Sequence, residues 1–187
     1  MTGMAVSAEQ SALLAMPAPV PATAMWLPAQ ALNCYVGDAT LRAWLLTPGL
    51  LTQRIRDAAG AGFAMHLLRE ERVADAHWRE IDMCCDGVPW MFAHTRIPAA
   101  TLAAHPWLGQ IGMRTLGEVL AGRPALEREE FRYAQCYPDT WLANRALEHA
   151  RLPQQPLWVR HSGFRSAGAP FDLDEVFLPA IGRRAAP

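Results

Sequence analysis

The alternation of apolar and polar positions divides the chain into two helical stretches and two hairpins, with further short elements between them. "GDATLRAWLLTPGLLTQRIRDAAGAG" has helical spacing. Asp38 is placed to cap a first helix that buries Leu41, Trp44 and Leu45. Thr47 is placed to cap a second, with Pro48 in its first turn and Gly60 or Gly62 at its end. "FAMHLLREERV" alternates as a strand, and Asp86-Gly87 marks a two-residue hairpin turn within "HWREIDMCCDGVPWMFAHT". "RIPAATLAAHPWL" turns from strand into a short helix. "RTLGEVLAG" opens on Thr115 with Glu118 three residues on, a capping-box pattern that Gly122 stops. "LEREEFRYAQC" reads as a strand with a helix as the alternative, and "PDTWLANRALEHARL" as a helix capped by Asp139. A second hairpin follows, "PLWVRHSGFRS" and "FDLDEVFLPA" around the turn "AGAP". Antiparallel hairpins with helical excursions give an α+β class rather than a βαβ fold.

Counting back from Asp86-Gly87 locates the chemistry. If paired residues sum to 173, Cys85 faces Val88, Met83 faces Trp90, Ile81 faces Phe92 and Arg79 faces His94, all eight on one face. The opposite face of the first strand carries Trp78, Glu80, Asp82 and Cys84, so the first face is expected to be the buried one. A buried guanidinium needs an anion. It either snorkels at the sheet rim, pairs with a structural carboxylate, or clamps a ligand carboxylate with His94 as a second donor. In "FDLDEVF" the carboxylate of Glu175 shares a face with Phe171, Leu173 and Phe177, while Asp172 and Asp174 fall on the other and are expected to be solvated. Glu175 either meets Arg79 or touches a ligand hydroxyl. An apolar pocket with a cation at one end and an acceptor at the other suits a small cyclic carboxylate bearing a hydroxyl.

Composition narrows the class. The chain has 187 residues, 51% hydrophobic and 19% charged, with a formal net charge of -1. That suits one globular domain and gives no basic footprint for nucleic acid. The helix-turn-helix shape before residue 60 carries Leu50, Leu51 and Ile55, packing residues where a DNA-reading helix would be polar and basic. Residues 1–32 read as a flexible Ala/Pro-rich lead. It lacks the basic start and unbroken apolar run of a secretory signal, since no Lys or Arg precedes Arg42 and Pro17, Pro19 and Pro21 interrupt it. Residues 33–187 form the single domain. No apolar run is long enough for a membrane span, and the cytoplasm is the expected location. Cys34, Cys84, Cys85 and Cys136 form no C-x-x-C, and adjacent Cys84 and Cys85 cannot both line one metal site. They are expected to be reduced small hydrophobes, with no metal.

"AWLLTPGLLTQRI", "WREIDMCCDGVPWMFAHTRIP", "IGMRTLGEVL", "LWVRHSGFR" and "DEVFLPA" resemble, in order, the chorismate pyruvate-lyase family of ubiquinone biosynthesis. The resemblance covers residues 33 to 182, and the hairpin together with "EVFLPA" is its most specific part. It implies an antiparallel sheet of about six strands with helical flaps closing over an internal site, and an enzyme that eliminates pyruvate from chorismate to leave 4-hydroxybenzoate, with no cofactor and no metal. The chain is expected to act as a monomer without a nucleic-acid partner. The resemblance also implies that Arg79 holds the ring carboxylate and Glu175 meets the hydroxyl at the other ring end. Leu51 and Leu116 would contact the ligand from the flaps, and His94 would stand among the ligand-binding residues. The family usually carries arginine at the position of His94, and often a second where His161 stands. Arg160 is a further candidate donor. The alternative function is a non-catalytic domain that binds a small aromatic carboxylate, related to the effector-sensing domains of transcription regulators.

Overall fold

The computed structural model describes residues 24–49, 51–120 and 126–183. The N-terminal lead as far as residue 23, and Gly122, lie outside them. Seven antiparallel strands form one sheet: β1 (Phe63–Val73), β2 (Ala76–Cys85), β3 (Val88–Pro98), β4 (Leu126–Arg128), β5 (Arg132–Cys136), β6 (Leu157–Ser166) and β7 (Ala169–Phe177). The order is β1-β2-β3-β7-β6-β4, and β5 also pairs with β6. The class is α+β as expected, with one strand more than expected, because "LEREEFRYAQC" breaks at Glu129 into two short strands on the same neighbour.

Both hairpin turns are where the sequence places them. Asp86 and Gly87 take φ of 51° and 76°, and Ala167 and Gly168 take 48° and 84°, the positive values that a two-residue turn of this hand demands. The helices are α1 (Leu32–Tyr35), α2 (Ala39–Leu45), α3 (Leu51–Ala59), α4 (Ala99–Ala104), α5 (Leu116–Leu120) and α6 (Trp141–Ala150). Asp38 caps α2, accepting from the Thr40 and Leu41 N–H groups at 2.8 and 3.0 Å. The capping box of α5 is complete: the Thr115 N–H donates to Glu118 Oε2 at 2.8 Å, and the Glu118 N–H to Thr115 Oγ1 at 3.2 Å.

One expected cap is corrected: Thr140, not Asp139, caps α6 by accepting from the Ala143 N–H. The Thr47 hydroxyl donates back to the Ala43 carbonyl at 3.4 Å and the residue is buried; the cap expected of it involves Leu50, which lies outside the described residues. Ahead of residue 33, Leu27 exchanges backbone hydrogen bonds with Tyr133 and Leu32 is fully buried. The packed chain therefore takes in part of the stretch read as lead. Among the described residues, no helix is long and apolar enough to cross a membrane.

Both faces of the sheet are covered, which the period-2 reading did not anticipate. On one face lie two flaps. Helices α2 and α3 bury Trp44, Leu45, Leu51 and Ile55 with Met83 and Met91. The segment through α5 buries Leu108, Ile111, Leu116 and Leu120 with Ile97, Phe164 and Phe171. On the other face α6 buries Leu142, Ala143, Ala146 and Leu147 against Phe92, Val159 and Val176. Every residue of β2 except His77 is buried as a result.

Candidate functional site

Between the flaps and the sheet lies a cavity of about 270 Å³. Its floor is the face that carries Arg79, Ile81 and Met83 on β2, Met91, Ala93 and Thr95 on β3, and Leu173 and Glu175 on β7. Leu51 and Leu116, the first residues of α3 and α5, line it from the flaps. Four of the five expected site residues, Leu51, Arg79, Leu116 and Glu175, thus come together on one cavity. The register sets the spacing of the two charged ones. Arg79 faces Thr95, and Ala93, two residues along, faces Glu175. Two strand spacings across and two residues along put their Cα atoms roughly 12 Å apart. Two inward side chains across that gap leave room for one six-membered ring.

The fifth residue is elsewhere. His94 does not face Arg79, because β3 carries one residue more than β2 at a bulge. Cys84 pairs with Pro89 but Met83 with Met91, leaving Trp90 without an opposite number. From there on the partners sum to 174, so Arg79 meets Thr95 and Glu80 meets His94. A one-residue slip exchanges faces, and His94 is carried to the back of the sheet. There it lies between Trp78 and Trp141, with ring centroids 4.8 and 5.0 Å away. It is 0% exposed, and among the described residues neither ring nitrogen has a hydrogen-bond partner. Burial pulls its pKa down to about 4 against a smaller opposing pull from Asp174. A neutral imidazole on the far side of a sheet cannot assist Arg79.

His161 also lies at the back, where its Nδ1 stands 2.8 Å from Asp174 Oδ1. Asp174, expected to be solvated, is 5% exposed. His94 and His161 therefore both lie on the α6 side of the sheet.

Arg79 is 1% exposed. Its Nη2 donates to the carbonyls of Gly112 and Arg114, at 2.8 and 2.6 Å, in the loop that leads into α5. Among the described residues its Nε–H has no hydrogen-bond acceptor, and the carboxylate oxygen paired with it, Glu70 Oε1, is 3.7 Å away. Burial lowers its pKa and Glu70 opposes that; a guanidinium starts high enough to stay charged. A buried cation with one carboxylate at this distance among the described residues has capacity for a further anion.

The opposite pole holds a residue the sequence reading did not commit to. Arg160 Nε donates to Glu175 Oε2 at 2.7 Å, and its Nη1 to the Thr47 carbonyl at 2.8 Å. The guanidinium lies 4.3 Å from the Phe131 ring centroid. Glu175 thus meets neither Arg79 nor solvent but a buried arginine, which fixes one oxygen. The sequence held the signal: counting back from Ala167-Gly168 makes partners sum to 335, which sets Arg160 opposite Glu175. Arg128 also lines this end, 3.3 Å from the Gly49 carbonyl and 4.4 Å from the Phe131 ring. Burial lowers its pKa and Arg160 lowers it further.

The two buried arginines share a second task. Arg79 ties the α5 flap to the sheet through two carbonyls, and Arg160 ties the α2–α3 flap through Thr47. Arg56 and Glu118, 2.8 Å apart, join the flaps to each other at the surface.

The chorismate lyase family model matches residues 64–186. A probable chorismate pyruvate-lyase of Dechloromonas aromatica (strain RCB) is 37% identical over 162 residues, 77% of this chain and 89% of the relative. One of Shewanella sp. (strain MR-7) is 34% identical over 154 residues, covering 76% and 81%. The chorismate pyruvate-lyase of Erwinia tasmaniensis is 33% identical over 158 residues, covering 76% and 80%. Among solved structures, the C-terminal domain of the histidine utilization repressor of Pseudomonas syringae pv. tomato str. DC3000 aligns with a TM-score of 0.49 at 8% identity, covering 63% of this chain and 92% of that one. The match over most of the chain settles its kinship: it belongs to the chorismate lyase family.

Proposed function

We propose that the chain is a chorismate pyruvate-lyase, converting chorismate to 4-hydroxybenzoate and pyruvate. The observation that carries this reading is the pair of poles, Arg79 and Glu175, on the floor of one apolar cavity. Chorismate has a ring carboxylate and, across the ring, a hydroxyl. Arg79 takes the carboxylate. Glu175, steadied by Arg160, accepts from the hydroxyl. Leu51 and Leu116 cover the ring from the flaps.

The reaction breaks the bond between the ring and the enolpyruvyl ether oxygen. The ring gives up the proton on the hydroxyl-bearing carbon and becomes aromatic, and that proton reaches the enolpyruvyl methylene to give pyruvate. No atom enters or leaves, so no co-reactant is required, and the reading includes no cofactor. Aromatisation supplies the driving force. The protein's share is to hold the reactive diaxial conformer and keep water out. Glu175 is the hydroxyl anchor in this reading, and the proton passes within the substrate. The second carboxylate, on the enolpyruvyl group, needs its own cation. Arg79 is at the other pole and Arg160 is committed to Glu175, so this role falls to Arg128, held at its own end by one long hydrogen bond. We take the protein to act as a cytoplasmic monomer with no nucleic-acid partner.

The test is turnover. Purified protein mixed with chorismate should release pyruvate and 4-hydroxybenzoate in equal amounts, followed by a lactate dehydrogenase couple and by chromatography. Binding of 4-hydroxybenzoate with no turnover at any pH from about 6 to 8.5 would make the chain a binding module and end this reading.

A further inference from the structure

On the back of the sheet, remote from the cavity face, we infer a divalent-cation site of the zinc type, made by His66, Asp82 and Cys84. The β1–β2 register sets His66 directly opposite Asp82. Cys84, two residues on along β2, shares their face. Taking one donor atom from each, all three lie within 4.8 Å of one another: His66 Nδ1 is 2.7 Å from Asp82 Oδ1 and 3.9 Å from Cys84 Sγ, while Cys84 Sγ is 3.4 Å from the other carboxylate oxygen, Asp82 Oδ2. Tetrahedral zinc, with Zn–N and Zn–O near 2.0 Å and Zn–S near 2.3 Å, sets its ligand atoms roughly 3.3 to 3.6 Å apart. Closing from within 4.8 Å of one another to that spacing calls on side-chain rotation, not on a change of strand register.

The donor types and the charges agree with this. Imidazole, thiolate and carboxylate together favour zinc over magnesium or calcium, which take oxygen. The Asp82 side chain is 3% exposed, and among the described residues its ion-pair partners are two histidines, His66 and His149, with no lysine or arginine. His149, from α6, stands 2.7 Å from Asp82 Oδ2. That is the outer partner a ligating carboxylate needs to keep its orientation. The His66 side chain is 55% exposed, so the site has a route to solvent and room for a water as fourth ligand. Burial and the Asp82 charge push the Cys84 thiol up to about 12. Zinc binds cysteine as the thiolate, so binding would displace the thiol proton. The expectation of no metal weighed cysteine pairs only; here the other donors come from the next strand and from the same strand.

The site lies behind the catalytic reading and does not depend on it. A bound ion would pin the edge strand β1 to β2. The experiment is a titration of the chelator-stripped full-length protein with Co²⁺, then Zn²⁺. One equivalent of Co²⁺ should give a near-ultraviolet thiolate-to-cobalt band and the visible bands of four-coordination, both erased by one equivalent of Zn²⁺, with one proton released per ion. Cys84→Ser should lose the near-ultraviolet band. His66→Gln, at an exposed position with little bearing on folding, should weaken Zn²⁺ at least tenfold, and His149→Gln about tenfold. A silent titration, or a band that survives Cys84→Ser and vanishes in Cys34→Ser, would overturn the proposal and leave a hydrogen-bonded His–Asp–His network.

Discussion

Replacing His94 with phenylalanine separates the back of the sheet from the cavity. The unfolded imidazole gains its proton below about pH 6.5, whereas the folded one, buried between Trp78 and Trp141, stays neutral down to about 4. Between those values the unfolded state binds more protons than the folded one. Stability from this group is therefore complete above about pH 6.5 and is lost as pH falls toward 4. The full loss is on the order of 3 kcal/mol. Phenylalanine keeps a ring for the two tryptophans and removes that liability. It also removes two ring nitrogens that have no hydrogen-bond partner among the described residues, a burial cost of about 1–3 kcal/mol, offset in part by the larger ring. Urea unfolding followed by circular dichroism from about pH 7.5 to 4.5 should show wild type losing about 2 kcal/mol more than the variant over that span. Affinity for 4-hydroxybenzoate should be unchanged. Identical acid limbs, or a tenfold loss of affinity, would refute the back-face placement.

The cavity yields further expectations. Arg79→Lys keeps the charge but loses the planar fork, so 4-hydroxybenzoate should bind about 10- to 100-fold more weakly by calorimetry, a charge-assisted hydrogen bond being worth about 1.5–3 kcal/mol. Unchanged affinity would remove Arg79 from the site. Arg128→Gln should raise KM for chorismate while leaving the affinity for 4-hydroxybenzoate, which lacks the second carboxylate; equal losses for both would deny that division of labour. Arg56→Ala cuts an exposed flap-to-flap pair worth about 0–1 kcal/mol. Stopped-flow displacement should show product leaving up to about fivefold faster with little change in Tm, and slower release would contradict the role of that contact in closure.

What the sequence disclosed follows from how local the information was. Turn residues fixed both hairpins, and strict alternation then put Arg79, Glu175, Leu173 and Phe177 on the correct face without reference to any relative. The error on His94 came from one extra residue, Trp90. Nothing in "GVPWMF" distinguishes a bulge from a regular strand, because Trp90 is apolar and buried in either register. The polar residues of the first hairpin strand, Glu80 and Asp82, suggested a solvated face. They are buried because Arg145 and His149, brought in by α6, meet them at 3.0 and 2.7 Å. Those partners are more than sixty residues away, so their neutralising effect cannot be seen in a local pattern. Arg160 was recoverable by the count already used on the first hairpin. The Thr115–Glu118 box was legible because both of its hydrogen bonds close within three residues.

The central claim is that one cavity reads the two ends of one ring. Its most direct test is a crystal structure of the protein soaked with 4-hydroxybenzoate. The carboxylate should lie on the Arg79 guanidinium, and the hydroxyl should sit within hydrogen-bonding distance of Glu175 beside Arg160, with Leu51 and Leu116 against the ring. A ligand in the reverse orientation, or bound away from this cavity, would contradict the account.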